Sequence, residues 1–141
     1  MPYTITKEYV WVGVIDDRPG ALNEKLRLLS EGGVNLELII TRRDRAGRAV
    51  MFVSPIRTRE EVEVARGAGL SIAESLHNIR VAGPNVMGIG ARITGALAGA
   101  GITLRGYSAA ALGELHVTNL AVDSLGDLEK AMAVLGQELG S

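Results

Sequence analysis

Two adjacent aspartates end an apolar run near the N-terminus and are followed at once by Arg-Pro-Gly. Asp16 and Asp17 offer carboxylate oxygens, which can hold an ammonium group. Gly20 opens an amphipathic segment, and the first turn of a helix presents backbone N–H groups that attract a carboxylate. Such a turn can therefore hold both ends of an amino acid. The same residues also make a plain turn and helix start, with Asp17 as a cap and Arg18 in solvent.

The chain repeats this arrangement without a gap. Gly20 corresponds to Gly88, a separation of 68 residues. Further pairs at the same separation are Leu29 and Leu97, Gly33 and Gly101, Val34 and Ile102, Asn35 and Thr103, and Leu36 and Leu104. Self-similarity at a fixed period sets the architecture of a chain. We interpret it as two copies of one unit; a chance likeness of two glycine-rich segments is the alternative.

Each copy is predicted to run strand, helix, strand, strand, helix. The elements of the first copy are strands at 9–15, 34–41 and 49–55 and helices at 20–32 and about 59–68. Thr58 and Glu61 have the spacing of a capping box, which predicts the start of the second helix. The elements of the second copy are a strand at 78–83, helices at 88–100 and about 125–138, and a hairpin around Gly113.

Each unit needs a closing strand to complete a four-stranded sheet. Residues 70–76 can supply it in the first copy, whereas the second copy has too little chain left at its C-terminus. The alternating segment at 3–7 is therefore predicted to cross over into the second unit, with the domains divided at 1–76 and 77–141. The alternative is a disordered tail at 1–7 and an open edge in the second unit.

The turn Asp-Arg-Pro-Gly-Ala-Leu, its amphipathic helix, the closing Gly-Val-Asn-Leu and the hairpin resemble the ACT domain, a small ligand-sensing module. The resemblance covers about residues 8–76 well. Residues 77–139 lack the Pro-Gly pair and are more similar to the regulatory domains of aspartate kinases. The resemblance implies an α+β fold of two ferredoxin-like βαββαβ units, with antiparallel sheets and helices on one face. It also implies an amino acid or similar metabolite bound where two ACT domains meet, which regulates an enzyme or transporter.

Family members that bind amino acids often use one asparagine in the turn and another at the start of the second strand. Asp17 departs from this pattern, and the second copy keeps Asn85 but has Thr103 in place of Asn35. We therefore expect one pocket between copies or between chains. The predicted ligand-binding residues are Asp16, Asp17, Arg18, Pro19, Gly20, Ala21, Leu22, Asn35, Leu36, Asn85, Val86, Met87, Gly88, Ile89 and Thr103. The apolar members favour an aliphatic or aromatic amino acid.

Composition argues against several functional classes. The net charge of −1 over 141 residues does not suit a nucleic-acid or anionic-membrane partner. The absence of cysteine excludes thiol catalysis and cysteine-ligated metal. No apolar run approaches about 20 residues and the N-terminus lacks a signal-peptide pattern, so a cytoplasmic location is expected. His77 and His116 have no metal-site spacing, and we expect no metal or cofactor.

Two further groups have open interpretations. Four arginines surround the first hairpin and form either a solvated tip or a docking surface for an acidic partner: Arg42, Arg43, Arg45 and Arg48. Glycines within a helix each cost about 1 kcal/mol relative to alanine. The three in the second copy, Gly90, Gly95 and Gly99, therefore predict close packing by the sheet or by another helix.

These observations together predict a tandem ACT protein without a catalytic domain. It is expected to form a homodimer, to bind a free amino acid, and to regulate a separate biosynthetic enzyme or act as a sensor. One alternative is a ligand-free structural or oligomerisation subunit of an enzyme complex. A second alternative is a small ferredoxin-like enzyme, for which the chain offers only the Asp16 and Asp17 pair as acid–base groups.

Overall fold

The computed structural model describes residues 2–140, which form six strands and four helices. In chain order they are β1 (Thr4–Asp16), α1 (Ala21–Glu31), β2 (Leu38–Arg45), β3 (Arg48–Ser54), α2 (Arg59–Gly67), β4 (Ser71–Pro84), α3 (Ile89–Gly99), β5 (Gly106–Leu112), β6 (Leu115–Val122) and α4 (Leu125–Leu139). The α+β class and the order of elements within each repeat agree with the sequence-based prediction.

The chain divides into two compact units. The first unit is Tyr9–Ala73, and the second combines residues 2–8 with residues 74–140. The strands hydrogen-bond in the order β2-β3-β1-β4-β6-β5, and the pairs β1–β3, β2–β3, β4–β6 and β5–β6 are antiparallel. β1 and β4 each give one end to each unit, so each unit has the βαββαβ content of a ferredoxin-like fold.

The two units repeat the same backbone hydrogen bonds at both ends of their sheets. After the first strand, the Asp17 N–H donates to the Gly47 carbonyl at 3.1 Å, and the Asn85 N–H donates to the Glu114 carbonyl at 2.8 Å. At the other end, the N–H groups of Glu37 and Arg105 donate to the carbonyls of Ser54 and Ala121, both at 2.8 Å. The internal repeat in the sequence is therefore a repeat of structure.

Both α1 and α3 end in the same glycine-dependent turn. Gly33 and Gly101 have φ of 88° and 74°, a left-handed conformation that glycine adopts without a steric penalty. The next N–H group closes a six-residue turn, from Val34 to the Leu29 carbonyl at 2.9 Å and from Ile102 to the Leu97 carbonyl at 3.0 Å. These four apolar residues are buried, so the C-terminal end of each of the two helices is packed into the core of its unit.

Each unit has its own hydrophobic core between strands and helices. In the first unit the fully buried Trp11 and Met51 of the strands share a cluster with Leu29 of α1 and Ala65 of α2. In the second unit the cluster joins the strand residues Ile79, Val81, Leu120 and Val122 with α3 residues Ile93 and Leu97 and α4 residues Leu128 and Leu135.

The N-terminal segment packs within the second unit. Tyr3 is buried in that unit's core, and its hydroxyl donates to the Pro84 carbonyl at 2.7 Å. Gly83 makes room for the ring, because a Cβ at this position would lie 2.3 Å from a ring carbon of Tyr3. Tyr3 therefore fixes the N-terminal segment, and with it the start of β1, against the end of β4.

Several bounds of the predicted elements are wrong, and the segments at 3–7 and 9–15 are one strand, β1. Residues 34–37 are not strand, because β2 begins only at Leu38 after the chain has left α1. The segments at 70–76 and 78–83 are one continuous strand of 14 residues, since no turn interrupts β4 between the two units. Among residues 2–140, no helix is both long enough and apolar enough to cross a membrane.

Candidate functional site

The two predicted turns have matching backbones. Gly20 before α1 and Gly88 before α3 have φ of 87° and 84°, and both occupy the N-cap position. Neither helix has a side chain that caps its first turn, whereas Thr58 caps α2 in a complete capping box and Ser124 caps α4. A Cβ at either glycine would meet no described atom within 4 Å. Both turns therefore present uncapped first-turn amides beside open space.

Charged side chains close the first turn. The Arg43 Nε donates to the Asp17 carboxylate at 2.5 Å, and an Arg18 nitrogen donates to the Glu24 carboxylate in the first turn of α1 at 2.8 Å. Arg18 also lies 3.7 Å from the Asp16 carboxylate. The hydrogen bond and the charge of Arg18 hold the pKa of Glu24 below its ordinary value. The charged side chains at the first turn are therefore paired with one another within the chain.

The residues of the second turn carry no charge, and Arg92, which lies in the first turn of α3 and corresponds to Glu24, pairs with Glu138 at 2.9 Å. Asn85, Val86 and Met87 stand where the first turn has Asp17, Arg18 and Pro19, and all three are exposed. Met87 is fully exposed, and Val86 keeps 56% of its surface exposed. The Asn85 backbone is held by Glu114, as described above, while its side-chain amide has no hydrogen bond to another described residue. No acidic side chain in the first turn of α3 therefore offsets the partial positive charge of its N-terminus.

The structure separates Asn35 and Thr103 from the turns of their own units. The first turn lies at the end of β3 that starts with Arg48, whereas Asn35 precedes β2 near Ser54 at the other end. Seven residues of β3 span roughly 20 Å. A helix returns the chain to the opposite end of the sheet, so Asn35 does not lie beside the turn with which the sequence analysis grouped it. Leu36 lies with Asn35, and Thr103 lies at the corresponding end of the second unit.

A shallow cleft of about 340 Å³ lies between α1 and β2 in the first unit. Its lining residues are Asn23, Leu26, Arg27, Leu29, Ser30, Val34, Asn35, Leu36 and Ile39. Two of the predicted site residues, Asn35 and Leu36, line it, and none of the predicted residues 16–22 does. The cleft and the turns are therefore different places on the first unit.

The second unit buries a polar group of side chains that sequence reasoning did not single out. His116 Nε2 lies 2.6 Å from Thr118 Oγ1, and that oxygen lies 3.4 Å from the Tyr107 hydroxyl. His116 and Thr118 are buried, and Ala49 and Met51 occupy the comparable buried positions of β3. The hydroxyl reaches α3, because a Cβ at Gly90 would lie 3.3 Å from it. Alternation along β6 could have shown that both polar side chains face inward.

The arginines of the first hairpin divide into two groups. Arg43 pairs with Asp17, and Arg48 pairs with Asp44 across the hairpin. The hydrogen bond from Arg48 holds the pKa of Asp44 below its ordinary value. Arg42 and Arg45 are exposed. Among residues 2–140, no group of three or more histidine, cysteine, aspartate or glutamate side chains is placed to hold a metal ion.

Comparison of the sequence with protein-family models and with curated proteins finds no match. Solved structures do match. Protein BT0572 from Bacteroides thetaiotaomicron superposes with a TM-score of 0.79 at 15% identity, over 95% of this chain and 90% of that one. The regulatory subunit of aspartate kinase from Thermus thermophilus, in its ligand-free form, gives 0.66 at 15% identity, over 98% and 97%. The fold is similar to that of this regulatory subunit of aspartate kinase.

A longer protein contains the same arrangement as one part. Aspartokinase III from E. coli, solved in complex with aspartate and ADP, gives a TM-score of 0.61 at 15% identity. The match covers 99% of this chain and 33% of that protein. These likenesses support the fold of two ferredoxin-like units expected from the turn and the repeat.

Proposed function

We propose that this chain is a cytoplasmic, non-catalytic regulatory protein that binds a free amino acid and controls a separate metabolic enzyme. The ligand carboxylate would bind the first-turn amides of α3, beyond Gly88, in the second unit. The observation that carries the proposal is a contrast between the two turns: both have uncapped amides, but only α1 has an acidic side chain, Glu24, in its first turn.

The second turn has groups suited to both ends of an amino acid. The α3 amides and the helix dipole favour a carboxylate, and the first turn of α3 contains no acidic side chain that would compete for them. The free side-chain amide of Asn85 supplies an oxygen that can accept from an ammonium group. The exposed Val86 and Met87 favour an aliphatic or aromatic ligand side chain, because their apolar surface would be removed from water on binding.

The structural neighbours support a regulatory role. They include a regulatory subunit of aspartate kinase and an aspartokinase crystallised with aspartate. Such neighbours favour an amino acid as the ligand of this chain and an enzyme as its target.

Thermal unfolding with each of the twenty amino acids tests the proposal. A ligand that binds only the folded state stabilises it by mass action, by about 2.7 kcal/mol at one hundred times its dissociation constant. We expect the unfolding midpoint to rise with a small, chemically related set of aliphatic or aromatic amino acids. An unchanged midpoint with all twenty would overturn the proposal.

A matched pair of variants locates the site. Gly20→Ala and Gly88→Ala each place a methyl group at a residue of nearly equal positive φ, with no described atom within 4 Å. Each should lower the free energy of unfolding by about 1–2 kcal/mol through the left-handed backbone alone. Only Gly88→Ala should also lose the response to the amino acid, because its methyl group blocks approach to the α3 amides. Loss in Gly20→Ala alone would place the site in the first unit.

The ligand-free structural role has one observation in its favour, and that observation concerns the first unit only. The Asp17–Arg43 and Arg18–Glu24 pairs leave no uncompensated charge at the first turn. We therefore assign the first unit a supporting role and the second unit the sensing role. Isothermal titration should accordingly give one amino acid per chain, and two per chain would show that the first turn also binds.

A further inference from the structure

The N-terminal segment, residues 2–8, is attached to the residue that precedes the second turn. Tyr3 is 7% exposed in the core of the second unit, and its hydroxyl donates to the Pro84 carbonyl at 2.7 Å. Pro84 is the last residue of β4, and Asn85 begins the turn that leads to α3. This hydrogen bond therefore acts on the backbone of the turn from a residue 81 positions away in the chain.

The backbone hydrogen bonds of the two turns repeat, with one exception. The N–H groups of Ala21 and Ile89 donate to the carbonyls three residues before them, at 3.3 and 3.1 Å. The N–H groups of Glu24 and Arg92 donate to the carbonyls four residues before them, both at 2.9 Å. The two backbones are therefore closely alike from the turn into the helix, so the exception is a local difference.

The exception is the carbonyl that ends the strand before each turn. In the first unit the Asp16 carbonyl accepts from the Arg18 N–H at 3.0 Å. Pro84 is equivalent to Asp16 at the 68-residue separation, but its carbonyl accepts from the Tyr3 hydroxyl. The Val86 N–H, equivalent to that of Arg18, donates to no other described residue. The carbonyl is therefore bonded within the first turn, and in the second unit it is bonded to the N-terminal segment.

The first unit has neither of the two residues that make this contact. Ser71 is equivalent to Tyr3, and its side chain is exposed and forms no hydrogen bond to another described residue. Ile15 is equivalent to Gly83, where a Cβ would lie 2.3 Å from a ring carbon of Tyr3. The contact requires an aromatic hydroxyl at one position and the absence of a side chain at the other, and only the second unit has both.

We propose that Tyr3 is a positioning residue of the second turn, whose hydroxyl holds the Pro84 carbonyl so that the Val86 N–H stays free. Without that hydroxyl the carbonyl would be open to the Val86 N–H, as in the first turn, because backbone polar groups seek partners. Docking of the N-terminal segment therefore sets the hydrogen bonding of the turn.

The consequence for the ligand rests on the proposed function. Val86 precedes Gly88 by two residues, so its free N–H can donate to the same carboxylate as the first-turn amides of α3. Docking of residues 2–8 then strengthens ligand binding, and the ligand strengthens docking by the same factor, because such coupling is reciprocal. The N-terminal segment is therefore the element that responds to occupancy of the second turn.

Amide hydrogen exchange of the ligand-free protein is the first test. In the wild type, the Val86 amide should be less protected than the Arg18 amide after correction for intrinsic exchange rates. Tyr3→Phe keeps the ring over Gly83 and removes only the hydroxyl. The protection of Val86 should then rise roughly two- to tenfold, the range for one net hydrogen bond. Equal protection of Arg18 and Val86 in the wild type, or no rise in a folded Tyr3→Phe variant, would overturn the proposal.

The matched control is Tyr107→Phe. It makes the same substitution in the same unit, at a hydroxyl that lies 3.4 Å from the Thr118 hydroxyl oxygen and forms no hydrogen bond with Pro84. The protection of Val86 should stay at the wild-type value. A rise as large as that in Tyr3→Phe would show that Val86 responds to the loss of either hydroxyl and would contradict the assignment to Tyr3.

Gly83→Ala gives a second readout in which Tyr3 itself is unchanged. The added methyl group would lie 2.3 Å from a ring carbon of Tyr3, so the ring must move and take its hydroxyl away from Pro84. The protection of Val86 should rise as in Tyr3→Phe, while the amides of residues 4–8 lose protection. An unchanged Val86 amide together with a loosened segment at 4–8 would show that docking does not control the turn.

Isothermal titration tests the link to the ligand, with the amino acids that raise the unfolding midpoint of the wild type. Tyr3→Phe should bind them roughly two- to tenfold more weakly, and Tyr107→Phe should bind them like the wild type. Equal affinities beside a changed Val86 amide would refute the coupling and leave the proposed function standing. If no amino acid binds the wild type, the proposed function fails, whereas the exchange of Val86 still decides whether Tyr3 positions the turn.

Discussion

The turn before α1 and the turn before α3 share a backbone and differ in chemistry. Their glycines have φ within a few degrees of each other, and both helices start without a side-chain cap. Around the first turn, arginine and carboxylate side chains pair with one another; around the second, the exposed side chains are an amide and two apolar groups. The comparison shows that glycine placement sets the geometry of such a turn, while the neighbouring side chains decide whether its amides remain available.

The edges of the sheet show the same division. The hairpin end of β2 carries the charges that pair with the first turn, and these charges also protect that edge. β5 has no charged side chain, so it neither protects its edge in this way nor forms an ion pair with the second turn. The second repeat therefore lacks charged side chains both in its turn and on its edge strand.

The largest expected effect tests whether the hydrophobic cores of the two units contribute equally to the free energy of unfolding. Leu29→Ala and Leu97→Ala remove equivalent side chains, each at most 1% exposed, from the two separate cores. Each should lower the free energy of unfolding by about 2–5 kcal/mol, the range for a buried leucine that leaves a cavity. Native-state hydrogen exchange should show the loss mainly in the unit that carries the substitution. A large loss for one leucine and almost none for the other would contradict the equivalence.

An intermediate effect separates the capped helices from the uncapped ones. Thr58→Ala and Ser124→Ala each remove a side-chain acceptor from the first turn of α2 or α4. Each should cost about 1 kcal/mol of stability, as measured by urea unfolding. Asn85→Ala is the control at an uncapped helix, and it should change stability little because its side chain caps nothing. A loss near 1 kcal/mol in the control would show that Asn85 supports the turn.

The smallest effect is a difference in acid sensitivity. Glu24 and Asp44 have pKa values lowered by Arg18 and Arg48, so their stabilising contribution is present above the ordinary carboxyl pKa and lost as the pH falls through the lowered value. Residues 85–90 contain no titratable side chain. Amide exchange should therefore speed up at residues 17–24 relative to 85–90 below about pH 4.

The control for the acid experiment is Glu24→Gln, which removes the carboxylate beside Arg18. It should flatten the part of the pH response that arises at the start of α1 and leave residues 85–90 unchanged. Equal acid responses at the two turns of the wild-type protein would contradict the contrast between them.

Local signals predicted much of the fold. The capping box at Thr58 and Glu61 acts within a few residues, and the structure has it as predicted. The hairpins and the four helices follow from short-range periodicity in the same way. The fold class could be predicted because two similar repeats with this order of elements are compatible with few architectures.

The candidate site was harder to predict from the sequence. Asn35 and the first turn are adjacent in the repeat pattern but lie at opposite ends of the unit, and a linear pattern does not show where a helix of about 16 Å delivers the chain. Arg43 is 26 residues from Asp17, so the pair that closes the first turn could not be read from spacing. The buried His116–Thr118 contact likewise depends on which face of β6 meets the helices.

By itself, the sequence determined the repeat, the positions of the turns and the starts and ends of the helices, because glycine, proline and capping side chains act on the backbone nearby. Tertiary structure alone decided which arginine meets Asp17, that Tyr3 packs over Gly83, and that β5 is left as an edge. Those outcomes depend on contacts between residues far apart in the chain, whose distances are set only when the strands pair.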